Sequence, residues 1–173
     1  MPIEALRASL PWFVMEAITY LQDECLEPWG TPEPKAQAFE WGSGGSTLWL
    51  SQRCATVVTL EHNREWYEST LSELSRYGIP NVDLVYRELG QGYSDYILRY
   101  PNEFFDVISV DGRERAACVT NALHKLKVDG IFILDNSERG QYQEAMKLLS
   151  RWERHDFDSG YTEGWTTTVW RRR

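Results

Sequence analysis

Short apolar runs alternate with amphipathic segments along most of the chain, a pattern typical of strands separated by helices. Five runs rich in β-branched or aromatic residues are predicted as strands: Gln37–Trp41, Thr56–Glu61, residues 82–88, Phe105–Val110 and residues 130–134. Helical spacing predicts helices over residues 47–53, Arg64–Tyr77, residues 93–99, 115–126 and 141–152. In the second of these helices, the residues predicted to face inward are Trp66, Tyr67, Leu71 and Leu74.

The last two predicted strands, residues 154–157 and 166–170, are separated by a loop without a helix, so we expect them to be antiparallel. The alternation before them implies an α/β fold with a doubly wound, mostly parallel sheet of seven strands.

Upstream, Ser9 precedes a helix predicted to begin near Trp12. The apolar face of that helix holds Val14, Ala17, Ile18 and Leu21. The predicted division is an N-terminal helical arm, residues 1–36, and a sheet domain, residues 37–173.

Composition and charge narrow the functional classes. At 173 residues, with 42% hydrophobic and 25% charged residues, the chain is expected to fold into one domain rather than to be disordered. A net charge of −8 argues against nucleic-acid partners. No apolar run approaches the roughly 20 residues that cross a membrane. Three cysteines (Cys25, Cys54 and Cys118), an odd number without a CxxC pair, favour reduced thiols, and we expect a cytoplasmic protein.

A glycine-rich turn follows the first predicted strand: Glu40-Trp41-Gly42-Ser43-Gly44-Gly45-Ser46-Thr47. Such a turn lets a ligand approach the backbone, although a plain tight turn has the same composition. The third glycine of a dinucleotide fingerprint is missing, because Thr47 occupies its position. The next strand ends in Glu61, whose carboxylate could accept both hydroxyls of a ribose or could simply begin a helix.

A second polar cluster follows the fourth and fifth predicted strands. Asp111 ends one, Asp135 and Asn136 end the other, and the carboxyl ends of parallel strands share one edge of a sheet. Three oxygen donors there suit Mg²⁺ or Ca²⁺, although the acids could instead cap turns. The same segments carry three arginines, which could bind an anionic acceptor or pair with the neighbouring acids: Arg113, Arg115 and Arg139.

The glycine turn and the acid at the end of the second strand resemble class I S-adenosylmethionine-dependent methyltransferases. Glu40, Gly42 and Gly44 match the family's E/D-x-G-x-G motif, and the strand order from residue 37 to the C-terminus matches its Rossmann-like fold. The segments FEWGSGGSTLWL, EHNREWY, VDGRER and LDNSER look like a group of small bacterial methyltransferases of unassigned substrate. The resemblance implies that S-adenosylmethionine is held by Glu40, Gly42, Ser43, Gly44, Ser46, Thr47, Glu61, His62 and Asp111.

The acids at the sheet edge are also similar to those of metal-dependent, catechol-type O-methyltransferases. That resemblance implies a divalent cation on Asp111, Asp135 and Asn136. It departs from the family at Glu114, where a lysine is usual. The alternative is that these acids cap turns or bind the amino group of the cofactor.

The function expected from these features is methyl transfer to a small-molecule acceptor, with oxygen as the favoured acceptor atom. Asp111 would orient the nucleophile or take its proton, and Asp135 and Asn136 would fix the acceptor. The arm is expected to form a lid or a homodimer contact. The aromatic residues considered for the pocket wall are Trp12, Phe13, Trp41, Tyr93, Tyr96 and Trp165. Two rival hypotheses are a nicotinamide-dependent reductase and a non-catalytic S-adenosylmethionine-binding protein.

Overall fold

The computed structural model describes residues 10–28, 30–160 and 164–173, and within them seven strands form one mixed sheet. The strands are β1 (Gln37–Trp41), β2 (Thr56–Glu61), β3 (Val82–Tyr86), β4 (Phe105–Val110), β5 (Leu126–Asp135), β6 (Glu153–Asp158) and β7 (Thr166–Arg171). Their order is β3-β2-β1-β4-β5-β7-β6. Strands β1 to β5 are parallel, whereas β7 is antiparallel to both of its neighbours. The predicted fold class is therefore confirmed, including the antiparallel C-terminal hairpin.

Helices pack around this sheet. They are α1 (Met15–Tyr20), which continues as a π turn over Leu21–Cys25, then α2 (Gly45–Ser51), α3 (Arg64–Tyr77), α4 (Arg115–Ala122) and α5 (Gln143–Lys147). Short 3₁₀ helices cover Tyr96–Arg99 and Gly140–Tyr142. Local sequence explains the ends of α3, since the Asn63 side chain accepts from the Trp66 amide and Gly78 ends the helix at φ 60°. None of the described helices is both long and apolar enough to cross a bilayer.

Element boundaries differ from the predicted ones mainly around β5. This strand begins at Leu126 rather than at residue 130, because Leu126 pairs with Phe105 across a register shift in the β4–β5 ladder. The preceding helix is correspondingly shorter, and the helix predicted over residues 141–152 is α only over Gln143–Lys147. Helix α1 begins three residues later than predicted, at Met15. Ser9, its predicted cap, lies outside the described residues.

The inward face predicted for α3 is only partly right. Leu74 is buried and Tyr67 half-buried, but Trp66 is 45% exposed and Leu71 is 44% exposed. The helix lies over the β2–β3 edge of the sheet and buries a narrow stripe of Thr70 and Leu74, which are one turn apart. A helix at a sheet edge has less apolar surface to cover than one over the centre, so the wider predicted stripe was wrong.

The arm belongs to one of the two hydrophobic layers that cover the sheet. Val14, Ala17, Ile18 and Leu21 are buried, as predicted. Ile18 and Leu21, with Phe13 and Leu26, lie on the same side of the sheet as α2, against Val57, Val107, Ile131, Ile133 and Val169. The opposite layer contains Phe39, Trp41, Ile108, Phe132 and Trp170, together with α4 and α5. The three cysteines are unpaired.

Gly42 connects β1 to α2 at the point where β1 lies beside β4. Its φ is 98°, and its amide donates to the Leu60 carbonyl at 2.8 Å. A Cβ at Gly42 would lie 2.8 Å from the backbone nitrogen of Gly112. This turn therefore needs glycine for both its conformation and its space.

We expect Gly42→Ala to lower the free energy of unfolding by about 2–4 kcal/mol, because a Cβ adds a backbone collision to the strain of positive φ. The matched control is Gly78→Ala, at φ 60° with nothing within 4 Å of the added Cβ, which should cost about 1–2 kcal/mol. Urea unfolding monitored by tryptophan fluorescence measures both. Equal losses in the two variants would contradict the proposed collision.

Candidate active site

A cavity of about 1140 Å³ opens at the carboxyl ends of the parallel strands. Ligand pockets commonly measure roughly 300–1,000 Å³, so this one has room for a nucleotide-sized ligand and a second small molecule. Its walls come from the arm (residues 10–13), the glycine loop (residues 42–46), and the segments that follow β2, β4 and β5. The cavity therefore lies where ligands of doubly wound sheets bind, near the reversal of strand order between β1 and β4.

Most of the predicted site residues line this one cavity: Gly42, Ser43, Gly44, Ser46, Glu61, His62, Asp111, Arg113, Arg115, Asp135, Asn136 and Arg139. Glu40 and Thr47 do not, because they lie beneath the glycine loop. Of the aromatic residues, Trp12, Phe13 and Trp165 line the cavity. Trp41 and Tyr93 are fully buried in the core, and Tyr96 packs against that core outside the cavity.

Glu61 fastens the glycine loop to the start of α3. One carboxylate oxygen accepts from the amide and hydroxyl of Ser43, at 3.0 and 3.2 Å. The other accepts from the amides of His62 and Asn63, both at 2.8 Å. The side chain is buried yet faces the cavity, so the same carboxylate shapes the loop and is presented to a ligand.

Glu40 supports the loop from below. Its Oε2 accepts from the hydroxyls of Thr47 at 2.6 Å and Thr59 at 3.0 Å, while Thr47 Oγ1 accepts from the Gly44 amide at 3.0 Å. Its Oε1 is buried without a hydrogen-bond partner among the described residues. Complete burial raises the pKa of Glu40 to about 7. The hydrogen bonds from these hydroxyl groups act in the opposite direction and lower the pKa. Glu40 therefore holds the loop in shape, and its predicted contact with a cofactor stays a prediction.

Arg115 joins the ends of β4 and β5. The guanidinium is buried and donates to the Asp111 carboxylate at 2.9 Å, to the Asp111 carbonyl at 2.6 Å and to the Gly112 carbonyl at 3.0 Å. It also donates to the Asp135 carbonyl. These bonds use most of its five N–H groups, so Arg115 has an internal role, and its predicted contact with a substrate stays a prediction.

Asp111 and Asp135 have raised pKa values. Burial, and then the charge of Asp135, raise the pKa of Asp111 to about 7, while Arg115 acts in the opposite direction. Burial also raises the pKa of Asp135, opposed by the Thr167 hydroxyl, which donates to its Oδ1 at 2.6 Å. Asp111, half-buried beside Asp135 and with a pKa of about 7, can therefore exchange a proton near neutral pH.

The residues present do not fit the predicted divalent cation. Within the described ranges there is no group of three or more His, Cys, Asp or Glu residues that could hold a metal ion. Asp111 Oδ1 is bound to Arg115 and Asp135 Oδ1 to Thr167. A divalent cation between these acids would also lie against the buried guanidinium, and like charges repel strongly there. Arg115 supplies the positive charge that the sequence pattern led us to expect from a metal.

The other two predicted arginines stand at the cavity wall with free donors. Arg113 is exposed, and among the described residues its guanidinium has no hydrogen bond or ion pair. Arg139 lies 3.7 Å from Glu138, a distance too long for a hydrogen bond. Both can therefore bind an anionic group that enters the cavity.

Trp66 lines the cavity, although helical periodicity predicted that it faces the core. Its indole N–H donates to the Ser43 carbonyl of the glycine loop, and its ring lies 6.2 Å from that of Trp12. Trp12 is 77% exposed, so the two rings connect the arm to α3 at the mouth of the cavity. The Asn63 cap was the available signal, since it places Trp66 in the first helical turn, next to the loop.

Comparisons with known proteins support the fold of this chain. No protein-family model and no curated protein sequence matches it. Solved structures do match. SMU.1697c, a candidate methyltransferase from Streptococcus mutans in complex with S-adenosylhomocysteine (SAH), has a TM-score of 0.66 at 12% identity, over 94% of this chain and 99% of that one. An rRNA methylase from Streptococcus thermophilus has a TM-score of 0.68 at 14% identity, over 91% and 94%.

Precorrin 8w decarboxylase from Methanobacterium thermoautotrophicum has a TM-score of 0.64 at 19% identity, over 96% of this chain and 94% of that one.

Sheet order and cavity position define a Rossmann-like α/β protein. More narrowly, the chain has the fold of class I S-adenosylmethionine-dependent methyltransferases. The resemblance drawn from Glu40, Gly42, Gly44 and Glu61 is confirmed at that level.

The raised pKa of Glu40 predicts how stability depends on pH. Between pH 4.5 and about 7 the unfolded carboxyl is ionised while the folded one still holds its proton, so the free energy of unfolding falls as pH rises. Glu40→Gln should make this fall shallower, whereas Glu65→Gln, at an exposed position, should not. Urea unfolding at several pH values across this window measures the slopes. Parallel profiles for wild type and Glu40→Gln would contradict the prediction.

Proposed function

We propose that the chain is an S-adenosylmethionine-dependent methyltransferase whose acceptor is a small molecule, methylated on oxygen. The observation that carries the proposal is one cavity whose walls combine the glycine loop and Glu61 with Asp111 and Asp135. The first pair suits a nucleoside with an amino-acid tail, and the second suits a hydroxyl group that must lose a proton. Methyl transfer needs both ligands side by side.

The cofactor side would use the loop amides, Ser43, Ser46, Glu61 and His62. Glu61 faces the cavity with acceptor oxygens that suit a ribose diol. The buried Nδ1 of His62 lies 3.0 Å from Glu61 Oε1, and the His62 side chain lines the cavity beside that carboxylate. These features fit S-adenosylmethionine, which when bound would supply a methyl group already activated by its sulfonium charge.

Asp111 is the proposed general base. Its Oδ1 is held by Arg115, and no hydrogen bond to its Oδ2 is found in the part of the chain that the structure describes. A pKa of about 7 lets this carboxylate accept a proton at neutral pH. With S-adenosylmethionine bound, the acceptor oxygen would take the methyl group as the carbon–sulfur bond breaks and SAH leaves, and Asp111 Oδ2 would accept the proton of the acceptor hydroxyl. Asp135 and Asn136 orient the acceptor, and no step requires a metal.

We propose further that the acceptor carries an anionic group. Arg113, which has no ion pair among the described residues, and Arg139, whose contact with Glu138 is 3.7 Å long, place positive charge at the cavity of a protein whose net charge is −8. The similarity to an rRNA methylase makes RNA the alternative acceptor. The overall negative charge favours the small molecule, because nucleic-acid binding needs an extended basic surface.

Calorimetric titration with SAH, with NAD as the control ligand, tests the cofactor class. We expect binding of SAH and none of NAD, unchanged by Mg²⁺ or EDTA. Glu61→Gln should weaken SAH by about ten- to hundredfold, because one charged acceptor is lost, while the matched Glu65→Gln should bind as wild type does. Asp111→Ala should keep SAH affinity within about tenfold and abolish turnover. Binding of NAD instead of SAH would contradict the proposal and support the reductase.

The acceptor class is tested with hydroxy-carboxylic acids and phosphorylated alcohols, each compared with its methyl ester, and with total cellular RNA. We expect methylation of an anionic compound and not of its ester. Arg113→Met should raise KM for that compound by about ten- to hundredfold, because a charged hydrogen bond is lost. Arg151→Met, at an exposed position outside the cavity, is the control. Equal turnover of acid and ester, or methylation of RNA alone, would contradict the acceptor class.

A further inference from the structure

A single buried hydroxyl connects the arm to the catalytic edge of the sheet. The Val14 amide donates to Thr167 Oγ1 at 2.9 Å, and Thr167 Oγ1 donates to Asp135 Oδ1 at 2.6 Å. Thr167 is completely buried on β7, directly opposite Asp135 in the β5–β7 ladder. A hydroxyl has one proton and can also accept, so it can serve both partners at once.

The arm has little local means of holding this position. Helix α1 has only six residues, and isolated helices of that length are not stable in water. Val14 precedes the first turn, and no side-chain cap stabilises this end of the helix. Trp12 and Phe13, just before Val14, line the cavity. The Val14–Thr167 bond is therefore placed where it fixes the course of the chain into the cavity wall.

We propose that Thr167 is a positioning residue that couples the N-terminal arm to Asp135, so that the arm closes the acceptor side of the cavity in register with that carboxylate. The description of Asp135 as part of an acceptor site rests on the proposed function. The coupling itself does not, because it depends only on the Val14, Thr167 and Asp135 contacts. A change at Asp135 is therefore felt by the arm, although Asp135 has no hydrogen bond to residues 10–28 among the described contacts.

Hydrogen–deuterium exchange of residues 10–28 in the full chain, without ligand, tests this coupling. Thr167→Val removes both bonds and should accelerate exchange in the arm by about fivefold, since a net hydrogen bond is worth about 1 kcal/mol. Thr167→Ser keeps the hydroxyl and should restore wild-type protection. If Thr167 acted only through packing, the two variants would not differ in the exchange rate of the arm while agreeing elsewhere in the chain.

Two proline variants test the Val14–Thr167 hydrogen bond by changing residues of the arm rather than Thr167. Val14 has φ −57° and ψ 137°, a conformation that proline itself adopts, and Val14→Pro removes the donor. Met15→Pro is the matched control, because Met15 is the exposed first residue of α1, where proline is tolerated. We expect faster arm exchange in Val14→Pro only. This pair carries the test if Thr167→Val does not fold.

Variants of Asp135 test the coupling from the opposite end. Asp135→Asn keeps an oxygen that accepts from Thr167 and should leave arm exchange unchanged, whereas Asp135→Ala should accelerate it. Unchanged arm exchange in Thr167→Val and Val14→Pro, or acceleration spread over the whole chain, would overturn the proposal. SAH titration of the wild type is run alongside, since failure to bind SAH removes the proposed function but not the coupling.

Discussion

The candidate site depends on the neutralisation of two acids buried at adjacent strand ends. Asp111 and Asp135 would repel each other in a medium of low dielectric, and Arg115 lies between them with bonds to both strands. The same guanidinium ties the backbone after β4 to the backbone after β5. Arg115 thus supplies positive charge to both acids and holds the Asp111 carboxylate, while Thr167 holds the Asp135 carboxylate, so both are in place before any ligand arrives.

The glycine loop depends on two acids with different tasks. Glu40, entirely inside, holds Thr47 and Thr59 beneath the loop, and Glu61, at the cavity wall, holds Ser43 and the first amides of α3. Trp66 adds a third support from above through the Ser43 carbonyl. A loop supported from three sides is pre-organised, which lowers the ordering cost of binding a flexible cofactor tail.

Sequence patterns predicted the sheet well, because a buried parallel strand is a continuous β-branched run, as in Thr56–Glu61 and Phe105–Val110. They also placed Glu61, Asp111 and Asp135 at one edge, since strand ends share that edge. They could not predict the roles of Arg115 and Trp66. Whether an arginine binds a substrate or its own backbone depends on where a flexible side chain ends, and the exposure of Trp66 depends on α3 lying at a sheet edge. The periodicity of the sequence indicates neither where the Arg115 side chain ends nor that α3 lies at the edge of the sheet.

The arm packs with the sheet itself, and this has a consequence for how ligands enter and leave. Phe13, Ile18 and Leu21 share one layer with Val107, Ile133 and Val169. Lifting the arm as a rigid flap would uncover that layer to water, at a free-energy cost comparable to partial unfolding. Any opening of the cavity that keeps this layer covered must therefore come from the exposed rings at the rim, Trp12 and Trp66, while the helical part of the arm stays in place.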